Sequence, residues 1–184
     1  KFQLQNTNRG THILKFFLKM ICDEDGQQET ILENIDNTQS DNNSRISKYS
    51  NPKGCLLFTP DMGNIDIFQK TLIKWQNSIN LISKSTINNI WERHFLDSAQ
   101  LYNFIKDIKG NIIDFGSGAG FPGLVLAIMG KKNIHLVESD YKKCVFLKEI
   151  AMLTETDITI HNSRIEDLSF INADLITCRA LASL

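Results

Sequence analysis

The sequence predicts an α/β domain built on a mostly parallel sheet and preceded by a small helical region. Short apolar runs alternate with helix-length segments from Lys109 onward, the pattern of right-handed βαβ units. A glycine-rich segment, Gly116-Ser117-Gly118-Ala119-Gly120, joins one such run to the next helical stretch. An acid, Glu138, ends the following apolar run 22 residues beyond Gly116.

Residues 1–60 read as an atypical extension. Ile13 to Ile21 is apolar, but short and interrupted by Lys15 and Lys19. It predicts a short helix or strand that packs locally, and no small-residue cleavage pattern follows it. Asp23 to Asn51 is polar; its run from Asn37 to Ser44 buries too little apolar surface to repay ordering and reads as a linker. Asn51-Pro52-Lys53-Gly54 and Pro60-Asp61-Met62-Gly63 are turn signals.

Residues 61–108 read as helical. Ile65, Phe68, Leu72, Trp75 and Ile79 recur three and four apart and fall on one stripe, with Lys70, Lys74 and Asn77 on other faces. A second helix is expected to open near Ser85 or Thr86, both plausible caps. Its apolar set is Ile87, Ile90, Trp91 and Phe95, continuing to Leu101, Phe104 and Ile105. Both tryptophans sit on stripes and are expected in the core. Residues 109–184 then supply the sheet domain. Asn111–Phe115, Ile134–Val137, Ile158–Ile160 and Ala173–Thr177 are its strands; helices lie around Leu124–Ile128 and Lys142–Leu153.

With 184 residues, 42% of them hydrophobic, the chain has room for one domain with a real core. A net charge of -1 excludes a strongly basic nucleic-acid binder of the tail type and leaves room for a local patch. Cys22, Cys55, Cys144 and Cys178 are widely spaced and form no CxxC. They suit a reducing, cytoplasmic setting better than a disulfide scaffold or a zinc site, and no metal site is expected. Cys144 and Cys178 are expected as small buried apolar residues. No 18-residue apolar run marks a membrane span.

Glycines after the first strand let the backbone turn tightly and approach a ligand with no Cβ in the way. Glu138, at the carboxyl end of the neighbouring strand, can accept both hydroxyl protons of a ribose. The spacing is GxGxG, not the GxGxxG of a pyrophosphate turn, and Asp114 lies inside the preceding strand. That form suits S-adenosylmethionine, with Gly116 and Gly118 beneath the methionine part and Asp114 near its ammonium. A nucleotide of another kind and a purely structural turn are the other readings.

Asp114-Phe115-Gly116-Ser117-Gly118-Ala119-Gly120-Phe121-Pro122-Gly123 resembles the signature of the RsmG family, also called GidB. Further pieces agree in the same order: Asn80-Leu81-Ile82-Ser83, Trp91-Glu92-Arg93-His94-Phe95-Leu96-Asp97-Ser98, Val137-Glu138-Ser139, Lys142-Lys143, Ser163-Arg164-Ile165-Glu166 and the segment from Cys178-Arg179 to Leu184. The resemblance spans about residues 65–184. It implies a Rossmann-like class I methyltransferase domain acting on guanine N7 of small-subunit ribosomal RNA. Its partner would be that RNA or the assembling small subunit, with the chain a monomer and no membrane involved. The cofactor would be S-adenosylmethionine, bound by Asp114, Gly116, Gly118, Gly120, Phe121, Glu138, Ile165 and Glu166. Arg93, His94 and Arg179 match active-site positions, and Lys142, Lys143, Arg164 and Arg179 are the RNA-binding candidates.

Guanine N7 carries a free lone pair at neutral pH, so its methylation is an in-line displacement that needs alignment and no general base. Arg179 suits O6 or a phosphate, since a clamp over N7 itself would cover the reacting atom. A salt bridge is the other reading. Arg93 and Asp97, four apart, could simply pair with each other, and His94 could be a satisfied core histidine. Lys142 and Lys143 oppose the dipole of their helix, which favours a charge-based role, although solvated surface is an equal reading. Four strands are fewer than the family fold carries, so a truncated chain or a product lacking its C-terminal part is expected. An inactive scaffold that binds cofactor or RNA, or a methyltransferase of another substrate class, therefore stand as alternatives.

Overall fold

The computed structural model describes residues 62–169 and 171–179. The expectations for residues 1–60, including the Ile13–Ile21 segment, the polar linker, Cys22 and Cys55, lie outside the described residues.

Helix α1 (Met62–Gln76) follows its apolar stripe, with Ile65, Phe68 and Leu72 fully buried. Its last side chain staples the chain that leaves it. The Gln76 amide nitrogen donates to the Ile82 carbonyl at 2.8 Å, and its Oε1 accepts from Leu81 N and Ile82 N, both at 3.0 Å.

The single second helix expected from the apolar spacing is not formed. A 3-10 turn (Lys84–Asn89) leads into a π turn (Trp91–Leu96), followed by the short helices α2 (Asp97–Ala99) and α3 (Tyr102–Ile105). The N-cap is Ser83, in extended conformation, not Ser85 or Thr86; the Thr86 hydroxyl donates to the Ser83 carbonyl at 2.8 Å. The wider π turn rotates the later residues out of the 3.6-residue register. Ile90 before the turn and His94, Phe95, Ser98 and Ala99 within and after it are buried, whereas Phe104 is 83% exposed.

The sheet comprises β1 (Ile112–Phe115), β2 (Ile134–Glu138), β3 (Thr159–Asn162) and β4 (Leu175–Cys178), in the order β3-β2-β1-β4 and all parallel. Helices α4 (Gly123–Ile128) and α5 (Tyr141–Leu153) make the first two crossovers. This is an α/β fold of the Rossmann-like methyltransferase kind. Strand order reverses direction at β1, between β2 and β4. A crevice opens at the carboxyl ends of the strands there, where such sheets bind ligands.

Phe68 of α1 is the hub of the core. Its ring lies 5.1 Å from Phe95, 5.2 Å from Phe121 and 6.2 Å from Phe146. Aromatic pairs contribute about 0.5–1.5 kcal/mol each beyond area burial. The exposed Lys70–Asp66 ion pair on the same helix, at 2.6 Å, belongs to a class worth about 0.3–0.5 kcal/mol. Packing of Phe68, not surface charge, therefore fastens the helical region to the sheet. Trp75 and Trp91 are half-buried at the rim of this cluster, and Trp75 Nε1 donates to Glu149 Oε2 at 2.8 Å.

Cys144 is buried as expected, but Cys178 is exposed. Residues alternate faces along β4, and Cys178 shares its outward face with Ile176, itself 53% exposed. Among the described residues no helix is long and apolar enough to cross a membrane.

Candidate active site

Three glycines shape the turn out of β1. Gly116, Gly118 and Gly120 have φ of 65°, 54° and 90°, a region costly for residues with a Cβ. Ser117 pins the loop from below: its amide donates to the Val137 carbonyl at 3.0 Å and its hydroxyl to the Asp114 carbonyl at 2.8 Å. The buried Glu138 carboxylate faces the loop from β2. Its Oε2 accepts from Gly118 N and its Oε1 from Asp140 N, each at 2.8 Å. Each oxygen keeps a further lone pair for a ligand hydroxyl. Asp140 also caps α5, accepting from Lys142 N at 2.8 Å, so the acid and the helix start are positioned together.

Asp114 works beneath this surface. Its Oδ1 accepts from the Thr177 hydroxyl at 2.8 Å and its Oδ2 from Gly123 N at 3.3 Å, tying β1 to β4 and to the start of α4. Burial pushes its carboxyl up to about 6, against the opposing pull of these hydrogen bonds and of the Arg179 charge. The carboxyl itself does not border the cavity described below.

A cavity of about 570 Å³ opens over the loop. Gly116, Gly118, Phe121, Glu138, Arg164, Ile165 and Glu166 line it. Lys143, His94 and Arg179 complete the set of expected residues that it brings together. Gly120 lies beneath: a Cβ there would meet Leu124 Cβ at 2.9 Å and Leu147 Cδ2 at 3.0 Å, so it lets the loop sit on α4 and α5. Lys142 is exposed and Arg93 belongs to a neighbouring cavity; neither borders this one. Leu81, Ile82 and Ser83 also line it, a role not assigned from sequence. Their one signal was the Asn80–Ser83 resemblance.

This donor set fits a nucleoside-bearing ligand. A Cβ at Gly118 would meet nothing nearer than the Gly116 carbonyl at 3.7 Å, so the cradle beside the loop is open. An anchored carboxylate for paired hydroxyls and an apolar residue, Ile165, complete it.

His94 and Arg179 close one end. An Arg179 Nη2 proton goes to His94 Nδ1, while Arg179 Nη1 donates to Asp97 Oδ2 at 3.1 Å and the Arg93 carbonyl at 3.4 Å. The guanidinium lies 5.3 Å from the Phe121 ring centre. Arginine only donates, so His94 Nδ1 must accept and Nε2 must carry the ring proton. That proton points to the Thr86 hydroxyl at 2.8 Å, which passes its own to the Ser83 carbonyl. Burial, then the charges of Arg179 and Arg93, lower His94 to about 4, so it is neutral at physiological pH. Asp97 thus pairs with Arg179 and not with Arg93. Beyond this partition lies a second cavity of about 310 Å³, bounded by Thr86, Glu92, Arg93, His94, Asp97 and Arg179.

A family model described as rRNA small subunit methyltransferase G matches residues 61–184. The chain belongs to the GidB family. Similar proteins named "Ribosomal RNA small subunit methyltransferase G" include that of Paramagnetospirillum magneticum, 52% identical over 118 residues, covering 64% of this chain and 58% of that protein. That of Rickettsia akari is 46% identical over 120 residues, covering 65% and 62%. The Rhodospirillum centenum protein is 47% identical over 117 residues, covering 64% and 54%. The chain thus spans a little over half the length of the curated relatives it matches.

Proposed function

We propose that the chain methylates N7 of a guanine in small-subunit ribosomal RNA, using S-adenosylmethionine, in the cytoplasm and as a monomer. The observation that carries this reading is the clasp of Gly118 N on the buried Glu138 carboxylate in the lining of the large cavity. Glu138 would hold the two ribose hydroxyls, Ile165 and Glu166 would flank the adenine, and Gly116 and Gly118 would lie under the amino-acid part. Bound there, the cofactor supplies a methyl group on a positively charged sulfonium.

The chain's own residues would then align the base and do no proton chemistry. His94 is neutral, and its acceptor nitrogen is already filled by Arg179. It is therefore not free to act as a base, and N7 requires none. Arg179, which is bonded to His94 and Asp97, would donate to O6 or to a phosphate. Lys143 and Arg164, on the cavity rim, would meet RNA phosphates, joined by the exposed Lys142. Arg93 would act from the second cavity. The overall charge is nearly neutral, so the partner is a folded RNA or an assembling subunit that adds contacts of its own.

Calorimetric titration of S-adenosylmethionine into the full chain and its Gly118→Arg variant tests the cofactor site. Binding by the parent and a loss of at least about a hundredfold in the variant are expected, since the arginine would occupy the open cradle. Equal affinity, or none in either protein, would sink the reading. Transfer of labelled methyl to deproteinised small-subunit RNA, mapped to the modified atom, tests the reaction; label on protein or on a small metabolite would point to another substrate class.

A further inference from the structure

We infer that Gln76 is a positioning residue for the cofactor: its side-chain amide holds residues 81–83 in place as a preformed wall of the large cavity. The inference rests on the proposed S-adenosylmethionine site and adds to it a residue that borders neither cavity.

Leu81, Ile82 and Ser83 line the large cavity, yet they belong to no helix or strand. Their backbone groups must find hydrogen bonds elsewhere, above all at Ile82, which is only 6% exposed. Gln76 supplies three of these bonds. Its Oε1 accepts from Leu81 N and Ile82 N, each at 3.0 Å, and its Nε2 donates to the Ile82 carbonyl at 2.8 Å. The second Nε2 proton goes to Asn80 Oδ1 at 3.3 Å. Both lone pairs and both protons of the amide are thus used, and the partners fix which way round it sits. Ile82 is gripped through its N–H and its C=O at once, as a paired strand would grip it.

Helix α1 does not need this side chain in order to end. The Trp75 carbonyl in its last turn accepts from Ser78 N at 2.8 Å and from Ile79 N at 3.0 Å. The far end of the wall is held separately, where the Ser83 carbonyl accepts from Thr86 N at 2.9 Å and from the Thr86 hydroxyl at 2.8 Å. Gln76 therefore fixes the end at Leu81 and Ile82. A wall that is already ordered needs no ordering when a ligand arrives. With the amide removed, cofactor binding must itself fix these residues, and affinity falls by that free energy. An amide suits this place and a carboxylate does not: a carboxylate could accept from both N–H groups but would set an oxygen against the Ile82 carbonyl.

The test compares the full chain with Gln76→Met, which keeps the length of the side chain and removes the amide, and with Gln76→Glu. Calorimetry measures the affinity for S-adenosylhomocysteine, and NMR measures exchange of the Leu81 and Ile82 amides with and without that ligand. The parent is expected to protect both amides before ligand is added. In Gln76→Met both should exchange at least about tenfold faster, S-adenosylhomocysteine should bind at least about tenfold more weakly, and saturation with it should restore protection. Gln76→Glu should lose at least about threefold in affinity, and it carries the test if circular dichroism shows Gln76→Met unfolded. No binding of S-adenosylhomocysteine by the parent overturns the methyltransferase reading and this inference with it. Where the parent binds, a folded variant with affinity within about twofold of it, or exposed amides that the ligand does not protect, makes Gln76 a structural staple alone and overturns this inference only.

Discussion

Alanine in place of Gly118, Gly120 and Gly123, one at a time, is expected to destabilise the protein by unequal amounts. At Gly118 the added Cβ meets no neighbour closer than 3.7 Å, so only the left-handed φ of 54° counts. That conformation costs about 1–2 kcal/mol, and stiffening the unfolded chain returns about 0.4–1, leaving a net loss near 1 kcal/mol. Gly123 has no positive φ, but its Cβ would lie 2.5 Å from Leu136 Cδ2 and 2.9 Å from Asp114 Cβ. Both neighbours are fully buried and cannot swing into solvent, so overpacking of about 1–3 kcal/mol applies. Gly120 combines the two burdens, with φ of 90° and overlap with the buried Leu124 and Leu147, for a loss of about 2–4 kcal/mol. Urea unfolding followed by the half-buried Trp75 and Trp91, with linear extrapolation, measures all three. Binding should rank differently, because Gly118 lines the large cavity and Gly120 does not. Gly118→Ala should lose S-adenosylmethionine affinity out of proportion to its small loss of stability. Equal destabilisation by Gly118→Ala and Gly120→Ala, or a Gly120→Ala loss below about 0.5 kcal/mol, would refute the steric reasoning.

Two buried groups should oppose each other in the pH dependence of stability. Burial lowers His94 from 6.5 to about 4, so its contribution is full above pH 6.5 and is lost as pH falls toward 4; burial raises Asp114 from 3.8 to about 6, so its contribution is full below pH 3.8 and is lost as pH rises through 6. Urea melts across this window should show stability tilting downward with rising pH in His94→Asn and upward in Asp114→Asn, each relative to the parent; three parallel profiles would contradict both assignments. Asp140→Ala removes the side-chain cap of α5 and should cost about 1 kcal/mol by the same melts. An unchanged midpoint would mean that solvent caps the helix equally well.

What could be read from the chain and what could not divide along physical lines. The β1–loop–α4–β2 unit was legible because its signals are local: apolar runs bounded by glycine, and an acid at a strand end. The cap at Asp140 is equally local, lying immediately before the periodic stretch of α5. The π turn was not legible, since Ile87, Ile90, Trp91 and Phe95 fit an ordinary helical period, and tertiary packing decides which of them turns inward. Partner choice was the least accessible. Asp114 reaches Thr177 only because β1 pairs with β4 in a register that joins residues 63 apart. Asp97 reaches Arg179 across 82 residues in preference to Arg93 four positions away. The spacing of Arg93 and Asp97 is that of a helix-surface pair, but the π turn breaks the helical register that would bring them together. The same break turns His94 toward the sheet, where its acceptor nitrogen and the Asp97 carboxylate converge on one guanidinium. A local departure from the α-helix thus builds the wall between the two cavities, and that is why sequence periodicity fails where the site begins.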